Sequence, residues 1–168
     1  MAERLIVVDK EKLFYEGVFD AQETINTLKQ WLSDKRYLPI EMKHAESTRP
    51  EGKYIDMEWA PFFKFSDYAK SVFKIHIQFN EVKDVVVESD RKKQKLQEGK
   101  VLIIFSGILE TDYEHRWETK PVFYFLRVVF EKYLYTPFLS GYERRVKEEL
   151  MSLKDTLKAF LNLQRYRM

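Results

Sequence analysis

Ser71-Val72-Phe73-Lys74-Ile75-His76-Ile77-Gln78-Phe79-Asn80 is the stretch on which the fold turns. Phe73, Ile75, Ile77 and Phe79 recur at every second position, with Lys74, His76, Gln78 and Asn80 between them. An extended chain sends alternate side chains to opposite faces, so this pattern is a half-buried β-strand with one dry and one wet side. After a break at Asn80-Glu81, Val85-Val86-Val87 continue the strand, and the charged stretch from Ser89 to Gly99 reads as a long hairpin loop. Val101 to Tyr113 is the returning strand, buried on both faces around Ile103 and Ile104, with Gly107 the position for a bulge.

Upstream, Tyr54 to Trp59 sets Ile55, Met57 and Trp59 against Asp56 and Glu58, and Pro61 then forces an edge or a bend. A turn at Ser47–Gly52 precedes it, with Pro50 and Gly52 setting the backbone. Before that turn, Ile40, Met42 and His44 alternate with Glu41, Lys43 and Ala45, the pattern of another half-buried strand. The first clear strand is Leu13 to Phe19, where Gly17 signals a bulge or a close backbone approach.

Helices bracket these strands. Asp20-Ala21-Gln22-Glu23 is an Asp variant of the capping box, and Ile25, Leu28, Trp31 and Leu32 follow at helical spacing, which predicts a helix from about Ala21 to Arg36. Ser140-Gly141-Tyr142-Glu143 is a second capping box. Behind it Val146, Leu150, Leu153, Leu157 and Phe160 form a seam about four turns long, with Lys147, Glu148, Lys154 and Asp155 on its wet side. Between strands and final helix, Val122 to Tyr135 is apolar nearly throughout. Its aromatic and β-branched content suits a strand, whereas its spacing and Pro121 favour a helix. The expected fold is α+β, a single domain over residues 1–168. A curved antiparallel sheet of five to six strands packs on a long carboxy-terminal helix, with one more helix near residues 21–36.

Composition removes whole classes of function. With 29 Lys+Arg against 27 Asp+Glu and the signs interspersed, no long-range field draws in nucleic acid or anionic lipid. Zero Cys removes thiolate nucleophiles, disulfides and Cys-ligated metal, in keeping with a reducing compartment. Five Gly, none in a Gly-x-Gly or Gly-Lys-Ser/Thr context, leave no phosphate-cradling loop. Leu5-Ile6-Val7-Val8 is too short for a signal core or a membrane span, so the expected location is cytoplasmic. Abundant Lys and Glu with no Cys also suit a heat-adapted host.

Three groups of residues are candidates for chemistry. His44, His76 and His115 lie on separate elements without metal-ligand spacing, and so read as strand histidines on polar faces. The acidic run Glu110-Thr111-Asp112-Tyr113-Glu114-His115-Arg116-Trp117-Glu118 aligns Glu110, Asp112 and Glu114 on one face of a strand. It offers a hard-cation or acid/base site, against the plainer reading of a solvated charged face. Arg91-Lys92-Lys93-Gln94-Lys95 carries no aromatic to stack on a base, and reads as a soluble hairpin tip that discourages edge pairing.

What remains is an aromatic load of 13 Phe, 10 Tyr and 3 Trp. It supplies either an ordinary core or the lining of an apolar cavity. The candidate lining is Trp59, Phe63, Phe65, Tyr68, Phe79, Phe105 and Tyr113, closed by Leu150, Leu153, Leu157 and Phe160. Hydroxyls of Tyr15, Tyr68 or Tyr113 could orient a guest.

The order strand, helix, several antiparallel strands and long final helix resembles the helix-grip arrangement of the START and Bet v 1-like superfamily. The resemblance covers most of the chain and rests on element order. It implies a ligand held between sheet and final helix, although those proteins usually have two short helices after the first strand and about seven strands. The expected function is thus a non-enzymatic binding protein, without cofactor, holding an apolar small molecule or a partner segment. The alternatives are a protein–protein interaction module or homodimer subunit, and an enzyme using Glu110, Asp112 and His115 with a divalent cation.

Overall fold

A computed structural model describes residues 3–89, 92–111, 125, 129, 133 and 136–165. Six strands and two long helices account for most of them: β1 (Glu3–Phe19), α1 (Ala21–Asp34), β2 (Glu41–Arg49), β3 (Gly52–Trp59), β4 (Phe62–Lys64), β5 (Ala69–Ser89), β6 (Lys92–Thr111) and α2 (Thr136–Arg165). The sheet is antiparallel throughout, in the order β1-β6-β5-β3-β2, and β4 pairs with β5 beside β3. This is the α+β architecture that the sequence predicts.

The decisive stretch lies at the centre of the sheet. Phe73, Ile75, Ile77 and Phe79 are almost wholly buried on the face that carries the helices, beside Val101, Ile103, Phe105 and Leu109 of β6. Glu81 adopts a left-handed φ of +56°, and the β5–β6 register slips between Asn80 and Lys83, which is the physical form of the expected break. Val85 to Ser89 then pair with Lys92 to Leu96, so the expected loop from Ser89 to Gly99 is instead ladder at every described position, 90 and 91 lying outside the described residues. Opposite charges such as Glu88 and Lys93 face each other there, which lets a polar sequence hold a two-stranded ribbon.

Asp20 caps α1 as its sequence requires, with an extended backbone and a carboxylate that accepts the Glu23 N–H at 2.9 Å. Ala21, Thr24, Ile25, Leu28, Trp31 and Leu32 form the buried stripe. The last helix is described from Thr136, so Ser140, the expected cap, lies inside it. Its seam is Val146, Leu150, Leu153 and Leu157, as expected, but continues through Leu161 and Gln164, leaving Phe160 half-buried. Gly107 lets α2 come close: an added Cβ would sit 3.0 Å from Val146 and 3.3 Å from Leu150.

Two strands differ from expectation. β1 starts at Glu3, ten residues before the expected Leu13, and its register slips on both sides of Val8. β2 is a strand, but all nine of its residues are exposed, so it is not half-buried. Of Val122 to Tyr135, only positions 125, 129 and 133 are described, with helical backbone at Phe125 and Val129; the rest lies outside the described residues.

Candidate functional site

Strand pairing writes the surface of the sheet face opposite α1 and α2 row by row. One row reads Asp56, Gln78, Leu102 and Phe14, and the next reads Glu58, His76, Ile104 and Lys12. In the following row Lys74 faces Ser106 on β6, and the outermost rows are Phe62, Val72, Ile108 and Ile6, then Lys64, Lys70, Glu110 and Arg4.

A recess of about 420 Å³ opens in the middle of this face. Met42, Trp59, Ala60, Ile75 and Ile104 give it apolar surface, and Lys10, Lys74, Ser106, His76 and Glu58 give it polar groups. Its most unusual wall is Lys10. The register slip between Val8 and Glu11 leaves Lys10 in the left-handed region at φ +48°, a conformation uncommon outside Gly and Asn. Its N–H donates to Ser106 Oγ at 3.1 Å, and Ser106 is also the ladder partner of Lys74. Lys10 and Lys74 thus both line the recess with Ser106, and among the described residues neither ammonium has a carboxylate partner. Bulges and strained residues of this kind re-aim side chains beside functional sites.

The neighbouring charges are, by contrast, fully engaged. Asp56 contacts His76 Nε2 through one oxygen and accepts from Lys43 Nζ at 2.6 Å through the other. The Lys43 hydrogen bond and the His76 contact together hold the Asp56 carboxyl below its ordinary pKa, although partial burial opposes them. Trp59 bridges to the other side of the sheet. It also lines a smaller pocket of about 170 Å³ with Gln22, Ile25 and Lys29 of α1 and Glu41, His44 and Glu46 of β2. Its indole N–H is buried with no hydrogen-bond partner among the described residues, and Lys29 Nζ lies 5.5 Å from the ring centre.

The residues expected to line a cavity are dispersed. Phe79, Phe105, Leu150, Leu153 and Leu157 are fully buried in the core between sheet and α2. Trp59 lines the two recesses above, and Phe160 lines an open groove between α1 and α2 with Glu23, Asn26, Gln30 and Trp31. None of these recesses is lined by Leu150, Leu153 or Leu157. Tyr113 lies outside the described residues.

Phe63, Phe65 and Tyr68 pack at the far end of the core, where the first two flank the Arg145 guanidinium at 4.9 and 5.1 Å. Arg145 Nε donates to Glu149 Oε1 at 2.9 Å. The Tyr37 hydroxyl donates to Glu149 Oε2 at 2.6 Å and accepts from Ser71 Oγ at 3.0 Å. Burial first, and the Glu149 carboxylate second, push the Tyr37 pKa far above that of a free phenol. With Tyr37, Ser71 and Glu149 buried and hydrogen-bonded to one another, this cluster fastens α2 to β5 and to the chain after α1.

Glu110 is also engaged. It is buried and receives Lys70 at 2.9 Å and Arg4 at 3.1 Å. Burial alone would raise its pKa, but the two cations outweigh burial and hold it below the ordinary range. Asp112, Glu114 and His115, its companions in the acidic run, lie outside the described residues. Among the described residues no group of three or more His, Asp or Glu is placed to hold a metal ion, and no helix is long and apolar enough to cross a membrane.

Sequence reasoning missed Lys10 and Ser106. The available signal was the charged insert Asp9-Lys10-Glu11-Lys12 between the apolar runs Leu5–Val8 and Leu13–Tyr15, which breaks strand alternation where a bulge would. No protein-family model, curated protein or solved structure matches the chain.

Proposed function

We propose that this chain is a non-enzymatic binding protein whose ligand is a small amphiphilic anion seated in the 420 Å³ recess on the face of the sheet opposite α1 and α2. The observation that carries it is the pair Lys10 and Lys74, which line the recess with Ser106 and with apolar surface from Met42, Trp59 and Ile104, and whose ammonium groups have no carboxylate partner among the described residues. Recesses of this size, mostly apolar with a few fixed polar groups, suit ligands with an apolar body and one anchoring group. Two lysines select an acid for that anchor, a carboxylate or sulfonate, while Glu58 at the rim disfavours a second negative charge. A helix-grip protein would hold its ligand between sheet and final helix. Here the seat lies on the opposite face, because Leu150, Leu153 and Leu157 fill the space under α2.

Calorimetric titration with decanoate, 1-decanol and decylamine tests the assignment. Decanoate is expected to bind, and the alcohol and amine to bind at least about tenfold more weakly, a difference of about 1.4 kcal/mol. Lys74→Met should weaken decanoate about tenfold and leave decanol unchanged. Equal affinity for acid and alcohol, or no binding of decanoate, overturns it.

A further inference from the structure

The two edges of the sheet are β1 and β2, and β2 is the one without cover. Beyond its partner β3 it has no further strand among the described residues, and all nine residues from Glu41 to Arg49 are exposed on both faces. Exposure of His44 and Glu46, which share the α1 side of the sheet with Ile55 and Met57, shows that α1 stops short of this edge. From Lys43 to Arg49 the ladder with β3 runs without a slip, so the outward N–H and C=O groups form a regular row.

From this we infer that β2 pairs antiparallel with β2 of a second copy of this chain about a two-fold axis at Ala45, joining the two sheets into one. The occupant is chosen by charge. Centred on Ala45, the unslipped stretch sets Lys43 abreast of the copy's Ser47 and His44 abreast of its Glu46, while Ala45 meets itself. The His44–Glu46 combination joins a basic to an acidic side chain and occurs twice by symmetry. A centre at His44 would set His44 against His44. A centre at Glu46 would set Glu46 against Glu46 and Lys43 against Arg49. His44 already lies 3.1 Å from Glu41 and 3.0 Å from Glu46 of its own chain, and the two-fold axis interleaves this triad with its copy. The small side chain of Ala45 at the axis removes any steric objection to the closest approach.

This pairing is independent of the ligand in the recess, since neither Ala45 nor Ser47 lines it. The chain has no Cys, so single Cys substitutions report the register directly. Directly opposed residues in an antiparallel pair have Cα atoms about 4.5–5.5 Å apart, within the range of about 4.4–6.8 Å that a disulfide spans. Ala45→Cys is therefore expected to give a cross-linked dimer on mild oxidation. Ser47→Cys is not, because its two copies stand roughly 14 Å apart along the paired strands. Sedimentation velocity over a concentration series should show the unmodified chain passing from one copy to two. Glu46→Lys should abolish that passage, and His44→Glu with Glu46→Lys should restore it, with circular dichroism unchanged in every variant. A monomer at all concentrations overturns the inference, as does cross-linking of Ser47→Cys as fast as Ala45→Cys.

Discussion

The two edges of one sheet solve the same problem differently. β1 carries exposed Leu5, Ile6 and Phe14, the residues that make an edge prone to unwanted pairing, yet its register slips on both sides of Val8 and Lys10 turns through a left-handed conformation. α2 also packs on it from one side. β2 has a regular backbone row from Lys43 to Arg49 and, among the described residues, no covering element, but alternates charge along its length. Distorted geometry blocks any partner, whereas a charge pattern admits only a partner with the matching pattern. One edge is closed to all strands, and the other is open to a particular one.

The largest test of this contrast lies where β1 is covered. Leu150→Ala removes a fully buried side chain over Gly107, and should cost about 2–5 kcal/mol in denaturant unfolding. Met42→Ala on β2 should change stability by less than about 0.5 kcal/mol. Gly107→Ala comes next, at about 1–3 kcal/mol, because its Cβ must displace Val146 and so loosen α2 where β1 bulges.

Acid should loosen the β1 edge through Glu110, which binds Arg4 of β1. Glu110 has a folded pKa below its unfolded value, so its contribution is complete above the unfolded pKa and is lost as pH falls through the folded one. Denaturation midpoints measured from neutral pH down to about pH 3 should fall less steeply for Glu110→Gln than for the parent chain. The smallest effect belongs to His44, whose pKa is raised first by the Glu46 hydrogen bond and also by Glu41, against slight desolvation. Its contribution is present below its unfolded pKa and fades as pH rises through the folded one. His44→Ala should therefore shift the unfolding midpoint measurably at pH 6 and scarcely at pH 9, both pH values being about one unit or more from neutral.

How much of this was legible in the sequence depends on what each residue pattern encodes. Period-two alternation in Ser71–Asn80 and the cap at Asp20 are local, and both elements stand where they were expected. Alternation at Ile40 to Ala45 declares a strand, but cannot say whether anything covers it, because burial depends on where α1 ends in space. The ribbon at Lys92–Gly99 has the composition of a loop because its charges are satisfied across the strand pair, by partners such as Glu88 for Lys93 and Lys83 for Glu98, 5 and 15 residues away. Ser140 has the spacing of a helix start, but Ser-x-x-Glu also occurs inside helices, and here it lies within α2. The recess was hidden for a similar reason: Lys10, Lys74 and Ser106 meet only through the β1–β6–β5 register, which no single window contains.

That same register has a consequence for synthesis. Glu3 of β1 pairs with Thr111 of β6, so β1 leaves the ribosome well before the strand that it pairs with. At bacterial or eukaryotic elongation speeds of about 5–20 residues per second, Phe19 precedes Thr111 by on the order of five to twenty seconds. Throughout that interval Leu5, Ile6, Val7 and Val8 are an unpaired apolar strand. The charged insert Asp9-Lys10-Glu11-Lys12 that later shapes the recess would, in that interval, keep the nascent strand from seeking a substitute partner.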